Sequence, residues 1–235
     1  GTASIKDLRL SDGQQSYTAE QIDLEASGTS KGRRAVRFRS PFLNADMEGE
    51  FRLSALTPAL AEFVDGYFPV KKWVSPAEPP DSTKVAPELP EQDFVFTLEL
   101  DNPVPLTRFF VPDLEQLDTA WIRFEFSTPE KRLDLKGGIP SLSYAGIIID
   151  SLALDGQSAD ALWQSVSVQA VRQDTQLLVG PTQLSTQLYR DSMDLSLLIK
   201  GGDQKTRLRL NALLEPDSNA YRVQVLPDFM LNSRP

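Results

Sequence analysis

Histidine and cysteine are both absent from this sequence of 235 residues. Without histidine there is no Ser-His-Asp triad, no Cys-His pair and no histidine-ligated zinc or haem. Without cysteine there is no thiolate nucleophile, iron–sulfur cluster or disulfide. Catalysis would have to use carboxylates, serine with lysine, tyrosine or a carboxylate-bound metal.

An excess of basic residues and long apolar runs are lacking as well. The chain has 24 Lys plus Arg against 33 Asp plus Glu, a net charge of −9, which argues against a nucleic-acid partner. No apolar run approaches the roughly 20 residues that cross a bilayer, and the opening Gly1–Ser4 has no signal-peptide character. Because the chain starts at Gly1 rather than at methionine, we expect a piece of a longer protein, with any membrane anchor outside it.

Alternation of apolar and polar residues with a period of two dominates the chain and predicts an all-β fold. Each segment has one apolar and one polar face, which is typical of antiparallel sheet covered on one side. The predicted strands are Ser4–Leu10, Glu20–Ala26, Ala35–Arg39, Asp46–Leu53, Phe94–Leu100, Trp121–Phe126, Arg132–Lys136, Asp194–Ile199, Thr206–Leu214 and Ala220–Leu226.

One helix interrupts this pattern, with Thr57 as its predicted N-cap and Pro58 at its first position. A second short helix or turn is predicted at Leu106–Val111. Between them, residues 70–91 contain five prolines and predict a loop or arm without regular structure. The apolar stripe of the first helix predicts packing on the sheet and consists of Leu56, Leu60, Phe63, Val64 and Tyr67.

The two ends of the chain echo one another at an offset of 144 residues, as from Ile5 to Ile149. The other matches are Leu8 with Leu152, Leu10 with Leu154, Ile22 with Val166, Leu24 with Val168 and Ala26 with Ala170. We therefore predict repeat-like segments at 1–69 and 145–230 within one elongated β unit spanning 1–235.

Three carboxylates, on Asp46, Glu48 and Glu50, share one face of a predicted strand. A carboxylate-dependent hydrolase needs such a pair in opposed environments. Arg37 and Arg39 alternate on the preceding strand, however, and a hairpin between the two strands would pair the opposite charges. The sequence favours a solvated, cross-paired face, and we predict a protein that is not an enzyme and has no cofactor or metal.

Apolar stripes are the remaining candidates for a functional surface. Two interpretations stay open: the stripes fill the core of a closed sandwich, or a curved sheet leaves part of this face open as an apolar groove. The candidate groove residues are Phe94, Phe96, Leu98, Ile122, Phe124, Phe126, Leu133 and Leu135.

Short motifs along most of the chain resemble the TamB-like translocation-and-assembly-module branch of the large AsmA-like proteins of Gram-negative bacteria. The resemblance begins at Ser40–Phe51 and continues through the helix to Gly66–Pro69. Later landmarks are Phe110–Leu114, Gly138–Tyr144 and Val225–Phe229, where Pro227-Asp228 stands in place of the expected Pro-Ser.

This resemblance implies a U-shaped (taco-like) antiparallel sheet with an apolar inner face, in the periplasmic part of a protein anchored in the inner membrane. It also implies a role in outer-membrane biogenesis, with phospholipid acyl chains or an outer-membrane β-barrel assembly protein as partner. The alternative is a periplasmic or surface β-sandwich that binds glycan or protein through Trp73, Trp121 or Trp163.

Overall fold

The computed structural model describes residues 1–11, 16–28, 32–68, 89–101, 111, 113–189, 192–217 and 220–232. These residues form 17 strands and one helix. The first nine strands are β1 Thr2–Ser11, β2 Ser16–Gly28, β3 Arg34–Arg39, β4 Asn44–Glu50, β5 Asp93–Leu100, β6 Leu114–Leu117, β7 Ala120–Ser127, β8 Arg132–Tyr144 and β9 Ile147–Ser158. The others are β10 Leu162–Val168, β11 Ala170–Gln173, β12 Gln176–Val179, β13 Thr182–Leu188, β14 Met193–Lys200, β15 Thr206–Asp217, β16 Ala220–Val225 and β17 Met230–Leu231, and the helix α1 is Leu53–Asp65.

The strands form one antiparallel sheet in which sequence neighbours are mostly spatial neighbours. Antiparallel ladders connect β1–β2–β3–β4–β5–β7–β8–β9–β10–β13–β14–β15–β16 in that order. The short strands extend this ladder: β6 pairs with β8, β11 with β9, β12 with β11 and β17 with β15. Among the described residues no ladder joins β1 to β16, and the sheet is open.

The predicted all-β class is confirmed, and each predicted strand overlaps an observed one. The strand predicted at Asp46–Leu53 ends at Glu50, because the chain turns into α1 at Leu53. The strands β6, β11 to β13 and β17 were not predicted, and β9 and β10 entered only through the internal echo.

The start of α1 differs from the prediction. The helix begins at Leu53, after an extended Arg52 that has no side-chain cap, and Pro58 therefore lies inside it rather than at its first position. Because Pro58 has no N–H, one intrahelical hydrogen bond is missing. Burial of Ala55 and Ala59, at 7% and 3% exposed, stabilises these first turns through packing, which Thr57-Pro58 alone did not reveal.

The helix packs on the sheet through the predicted stripe. The ring of Phe63 lies 5.2 Å from that of Phe126 on β7, in an edge-on arrangement. Beyond the helix, the hydroxyl of Tyr67 donates to the carbonyl oxygen of Ala159 at 3.1 Å. The hydrophobic core beneath the helix, against which Phe63 packs, consists of Met47, Phe51, Ala59, Phe68, Phe94, Phe126, Leu133, Leu162 and Leu188.

The ring contacts made by the residues on either side of α1 require a curved sheet. The ring of Phe51 lies 6.0 Å from that of Phe94 on β5, and the ring of Phe68 lies 5.7 Å from that of Tyr221 on β16. In a flat sheet, β5 and β16 would be eight strand spacings apart, roughly 38 Å. Because α1 has 13 residues and is about 20 Å long, the sheet must bend around it into a U.

Two predicted segments lie wholly or largely outside the described residues. Of the proline-rich segment at 70–91, only residues 89–91 are described, and of Leu106–Val111 only Val111 is described. Their predicted conformations stay predictions.

Candidate apolar binding face

The strand registers place the apolar residues of successive strands on one face, which we call the inner face. Residues directly opposite one another in an antiparallel ladder share a face of the sheet. One row crosses ten strands and consists of Phe38, Ala45, Leu98, Ile122, Gly137, Leu154, Val166, Leu184, Leu197 and Leu210.

A parallel row on the inner face lies one pleat closer to α1. It consists of Val36, Met47, Phe96, Phe124 and Leu135. The aromatic members contact residues of the next row, and the rings of Phe124 and Phe126 are stacked with centroids 6.0 Å apart. On these five strands the inner face is thus apolar both across and along the strands. Beyond them the same row continues through Gly156 to the polar pair Gln164 and Thr186 on β10 and β13.

The opposite, outer face is polar across the same strands. One of its rows consists of Arg37, Asp46, Thr97, Arg123, Lys136, Asp155, Ser165, Ser185, Ser196 and Asn211. The curved sheet therefore separates an apolar interior from a hydrated exterior.

The predicted pairing of charges on β3 and β4 is confirmed. Arg37 lies 2.9 Å from Glu48, and Arg39 lies 2.6 Å from Asp46. The hydrogen bond from Arg37 to Glu48 raises the pKa of the arginine. Both carboxylates are held by arginines on an exposed face, which does not provide the opposed environments that a glycosidase requires.

The eight predicted groove residues divide into two groups by their burial. Phe94, Phe126 and Leu133 are buried in the core beside α1. Phe96, Leu98, Ile122, Phe124 and Leu135 are half-buried. The helix therefore covers one end of the predicted stripes, and at the other end of β5 Leu100 is again buried, at 5% exposed.

The exposed part of the inner face lies farther from the helix. On β10, Leu162 is 0% exposed, whereas Val166 on the same face is 39% exposed. On β13, Leu188 is 7% exposed and Leu184, which pairs with Val166, is 39% exposed. Four residues of strand span about 13 Å, so the apolar face extends well beyond the part that α1 covers.

Several members of this exposed region were missing from the predicted groove. Leu154 and Val166 entered only as part of the internal echo, and Leu184 was not singled out. The signal was present in Leu195, Leu197 and Ile199, which alternate in the same way as the residues of β5. The alternation does not reveal where the helix packs, and the position of the helix decides how much of the face is covered.

A shallow cavity of about 570 Å³ lies beside the strands β10, β13, β14 and β15. It is lined by Trp163, Asp194, Asn211 and Asp228 among others, and the amide of Asn211 donates to the carboxylate of Asp228. Of the three tryptophans proposed as anchors, Trp121 is 43% exposed, Trp163 is half-buried and Trp73 lies outside the described residues.

In the described part of the chain, no group of acidic side chains is arranged to hold a metal ion. The same residues contain no helix that is long and apolar enough to cross a membrane. In comparisons with protein-family models, curated proteins and solved structures, nothing matches this chain.

Proposed function

We propose that the inner face binds acyl chains of phospholipid and guides them along the curved sheet without catalysis. The observation that carries this proposal is the ten-strand row from Phe38 to Leu210, which contains no polar side chain and is only partly covered by α1. Each CH₂ group that such a face removes from water contributes about 0.8 kcal/mol.

The polar outer face supports the same proposal. A sheet that is apolar on both faces would associate with other sheets or with a membrane. Here the polar row from Arg37 to Asn211 keeps the outer face hydrated. An acyl chain therefore has one apolar surface to follow, and its headgroup would stay at the rim in water. This arrangement requires no catalytic residue.

The setting of this activity follows from the resemblance to TamB-like proteins. We propose that the chain is a periplasmic segment of a protein anchored in the inner membrane by a part outside this sequence. Its role would be in outer-membrane biogenesis, through transfer of phospholipid. Support for the assembly of outer-membrane barrels is the other role that the resemblance implies, and it uses the same apolar face for an unfolded strand.

The first experiment is native mass spectrometry of the purified chain, followed by organic extraction of whatever is released. We expect reproducible phospholipid adducts that are absent from a control protein of similar acidity. A chain that is free of lipid and takes up none from vesicles of phosphatidylethanolamine and phosphatidylglycerol would contradict the proposal.

The decisive variants are Val166→Glu and Leu184→Glu. These residues are paired on the exposed part of the inner face, so a charge there opposes an acyl chain without entering the core. A charge at Phe96 or Phe124 is less informative, because both rings pack against the core and the fold itself would suffer. We expect each variant to lose most of the lipid adduct.

The matched control is Gln183→Glu, which adds the same charge next to Leu184 but on the other face. Gln183 is exposed and pairs with Ser167. We expect it to retain lipid at the wild-type level. If all three variants retain lipid equally, the inner face is not the binding surface.

A second candidate is saccharide binding at the cavity that Trp163 lines. An aromatic ring beside carboxylates and amides is the chemistry that recognises sugars, since the ring packs on C–H groups and the polar groups bind hydroxyls. The test is titration of the tryptophan fluorescence with a panel of oligosaccharides. Quenching that is lost in Trp163→Ala but retained in Trp121→Ala would support it, and an unchanged signal across the panel would exclude it for the sugars tested.

A further inference from the structure

Two polar side chains interrupt the apolar inner face on the strands β10 and β13. Gln164 and Thr186 lie directly opposite one another in the antiparallel ladder, which places their Cβ atoms roughly 5 Å apart. Because side chains alternate between the two faces of a strand, Gln164 shares the inner face with the buried Leu162 and the exposed Val166. The polar pair therefore lies at the boundary between the part of the face that is core and the part that is exposed.

The fold does not use the polar atoms of this pair. In the described part of the chain no hydrogen bond engages the amide of Gln164 or the hydroxyl of Thr186. Thr182, on the same face of β13, differs in this respect, because its hydroxyl donates to the carbonyl oxygen of Gly180 at 3.1 Å. Gln164 is exposed and Thr186 is half-buried, so both can donate a hydrogen bond to a ligand that lies on the inner face.

The neighbours of the pair decide which kind of acceptor fits. Gln164 pairs with Gly156 on β9, and Thr186 pairs with Leu195 on β14. The residues of these four strands that share the inner face with the pair include no Lys, Arg, Asp or Glu. A carboxylate or phosphate would lie here against apolar surface without an opposite charge, which is costly. A neutral carbonyl oxygen is the acceptor that an amide N–H and a hydroxyl O–H can satisfy.

We propose that Gln164 and Thr186 bind the two ester carbonyl oxygens of a diacyl glycerolipid whose acyl chains lie on the inner face. This inference rests on the proposed function and specifies which part of the lipid is fixed. The acyl chains leave the esters across Val166 and Leu184, which are exposed and paired. In the other direction the face is already filled, since Leu162 belongs to the core.

The pair gives position to a surface that is otherwise uniform. An acyl chain gains a similar free energy wherever it lies on apolar side chains, because the hydrophobic effect has no direction. Hydrogen bonds do have direction, and two donors at one point of the face hold the ester groups there. Because Gln164 is exposed, a headgroup attached next to the esters remains in water.

The test compares two phospholipids that differ only in their carbonyl groups. One is dioleoyl phosphatidylethanolamine, which has two ester carbonyls, and the other is the dialkyl ether lipid with the same chain length and headgroup. Native mass spectrometry of the chain with an equimolar mixture of the two lipids gives the ratio of the two adducts. We expect the wild-type chain to prefer the ester lipid at least fivefold.

The double variant Gln164→Leu with Thr186→Val removes both donors and keeps side chains of similar size. We expect it to bind the two lipids equally, with a total adduct at least as large as that of the wild type, because apolar surface has been added. The matched control is Gln183→Leu with Ser167→Val, an opposed polar pair of the same ladder on the outer face. The control should keep the fivefold preference, and circular dichroism should show that both sheets are intact.

The outcomes separate this inference from the proposed function. A wild-type chain that binds the ester and ether lipids equally would overturn the inference and leave lipid binding by the inner face intact. The same conclusion follows if the double variant keeps the preference, or if the control loses it to the same extent. A chain that binds neither lipid would overturn the proposed function together with the inference.

Discussion

Phe68 packs against Tyr221 with ring centroids 5.7 Å apart and joins the segment after α1 to the strand β16. This contact connects the segment that follows α1 with β16, which lies at the opposite end of the ladder from β1. It holds α1 against one end of the inner face. That end of the face is therefore buried in the core, and the rest of the face remains exposed.

Replacing Phe68 by alanine should therefore destabilise the whole fold. The side chain is only 2% exposed, and removal of a buried phenylalanine costs about 3–5 kcal/mol. Urea unfolding followed by circular dichroism measures the free energy of unfolding. Phe229→Ala is the matched control, because Phe229 is 41% exposed and its loss should change stability by less than about 0.5 kcal/mol. Equal effects of the two substitutions would contradict the bridging role of Phe68.

Gln92 connects the start of α1 to the sheet. Its side chain is 0% exposed; its Oε1 accepts a hydrogen bond from the N–H of Arg52 at 2.9 Å, and its Nε2 donates to the carbonyl of Pro90 at 2.8 Å. Gln92→Leu leaves both backbone groups without these partners and should destabilise the protein by about 2–3 kcal/mol. The measurement is again urea unfolding, with exposed Gln176→Leu as control. A change below about 0.5 kcal/mol would mean that water replaces the amide.

Gly49 lies where β4 approaches β5 too closely for a side chain. Its φ is 147°, and an added Cβ would lie 2.1 Å from the carbonyl oxygen of Asp93. Gly49→Ala should destabilise the fold by at least about 2 kcal/mol, since it combines backbone strain with a steric clash. At Gly28 the nearest atom would be 3.9 Å away, so Gly28→Ala should be near neutral. A thermal melt of each variant checks the difference, and similar melting temperatures would argue against a close approach of β4 and β5.

Asp23 should titrate below its ordinary range. The amide of Gln21 donates to both carboxylate oxygens, at 2.9 and 2.7 Å, and this contact lowers the pKa of Asp23, with a smaller contribution from Ser4. Because the pKa is lower in the folded state, the contact stabilises the fold above the ordinary carboxyl pKa and is lost as the pH falls through the folded pKa.

Gln21→Ala should therefore raise the pKa of Asp23 towards its ordinary value. Titration of the Asp23 carboxyl carbon by NMR between pH 2 and 6 measures this shift. The control Gln176→Ala removes an exposed glutamine on β12 and should leave Asp23 unchanged. An unchanged pKa in Gln21→Ala would show that the amide does not hold the carboxylate in solution.

The sequence was informative where local patterns decide the structure. Alternation of Phe94, Phe96 and Leu98 predicted both the strand and its apolar face, and alternation of charges predicted the pairing of Arg37 with Glu48. It was not informative about α1, because Thr57-Pro58 imitates a helix start while burial of Ala55 moves that start to Leu53. The division of the inner face into core and exposed surface depends on where Phe63 and Phe68 dock, and no periodicity within a strand contains that information.

The order of the ladders has a consequence for how the chain folds. In the described part of the sheet most strands pair with strands close to them in the sequence, and the longest step is from β4 to β5, where Asn44 pairs with Glu99. Such short-range pairing lowers the contact order, which favours rapid folding. A chain delivered from its amino end could therefore add hairpins one after another as it emerges. Docking of Phe68 on Tyr221 would come last, since it has to wait for β16.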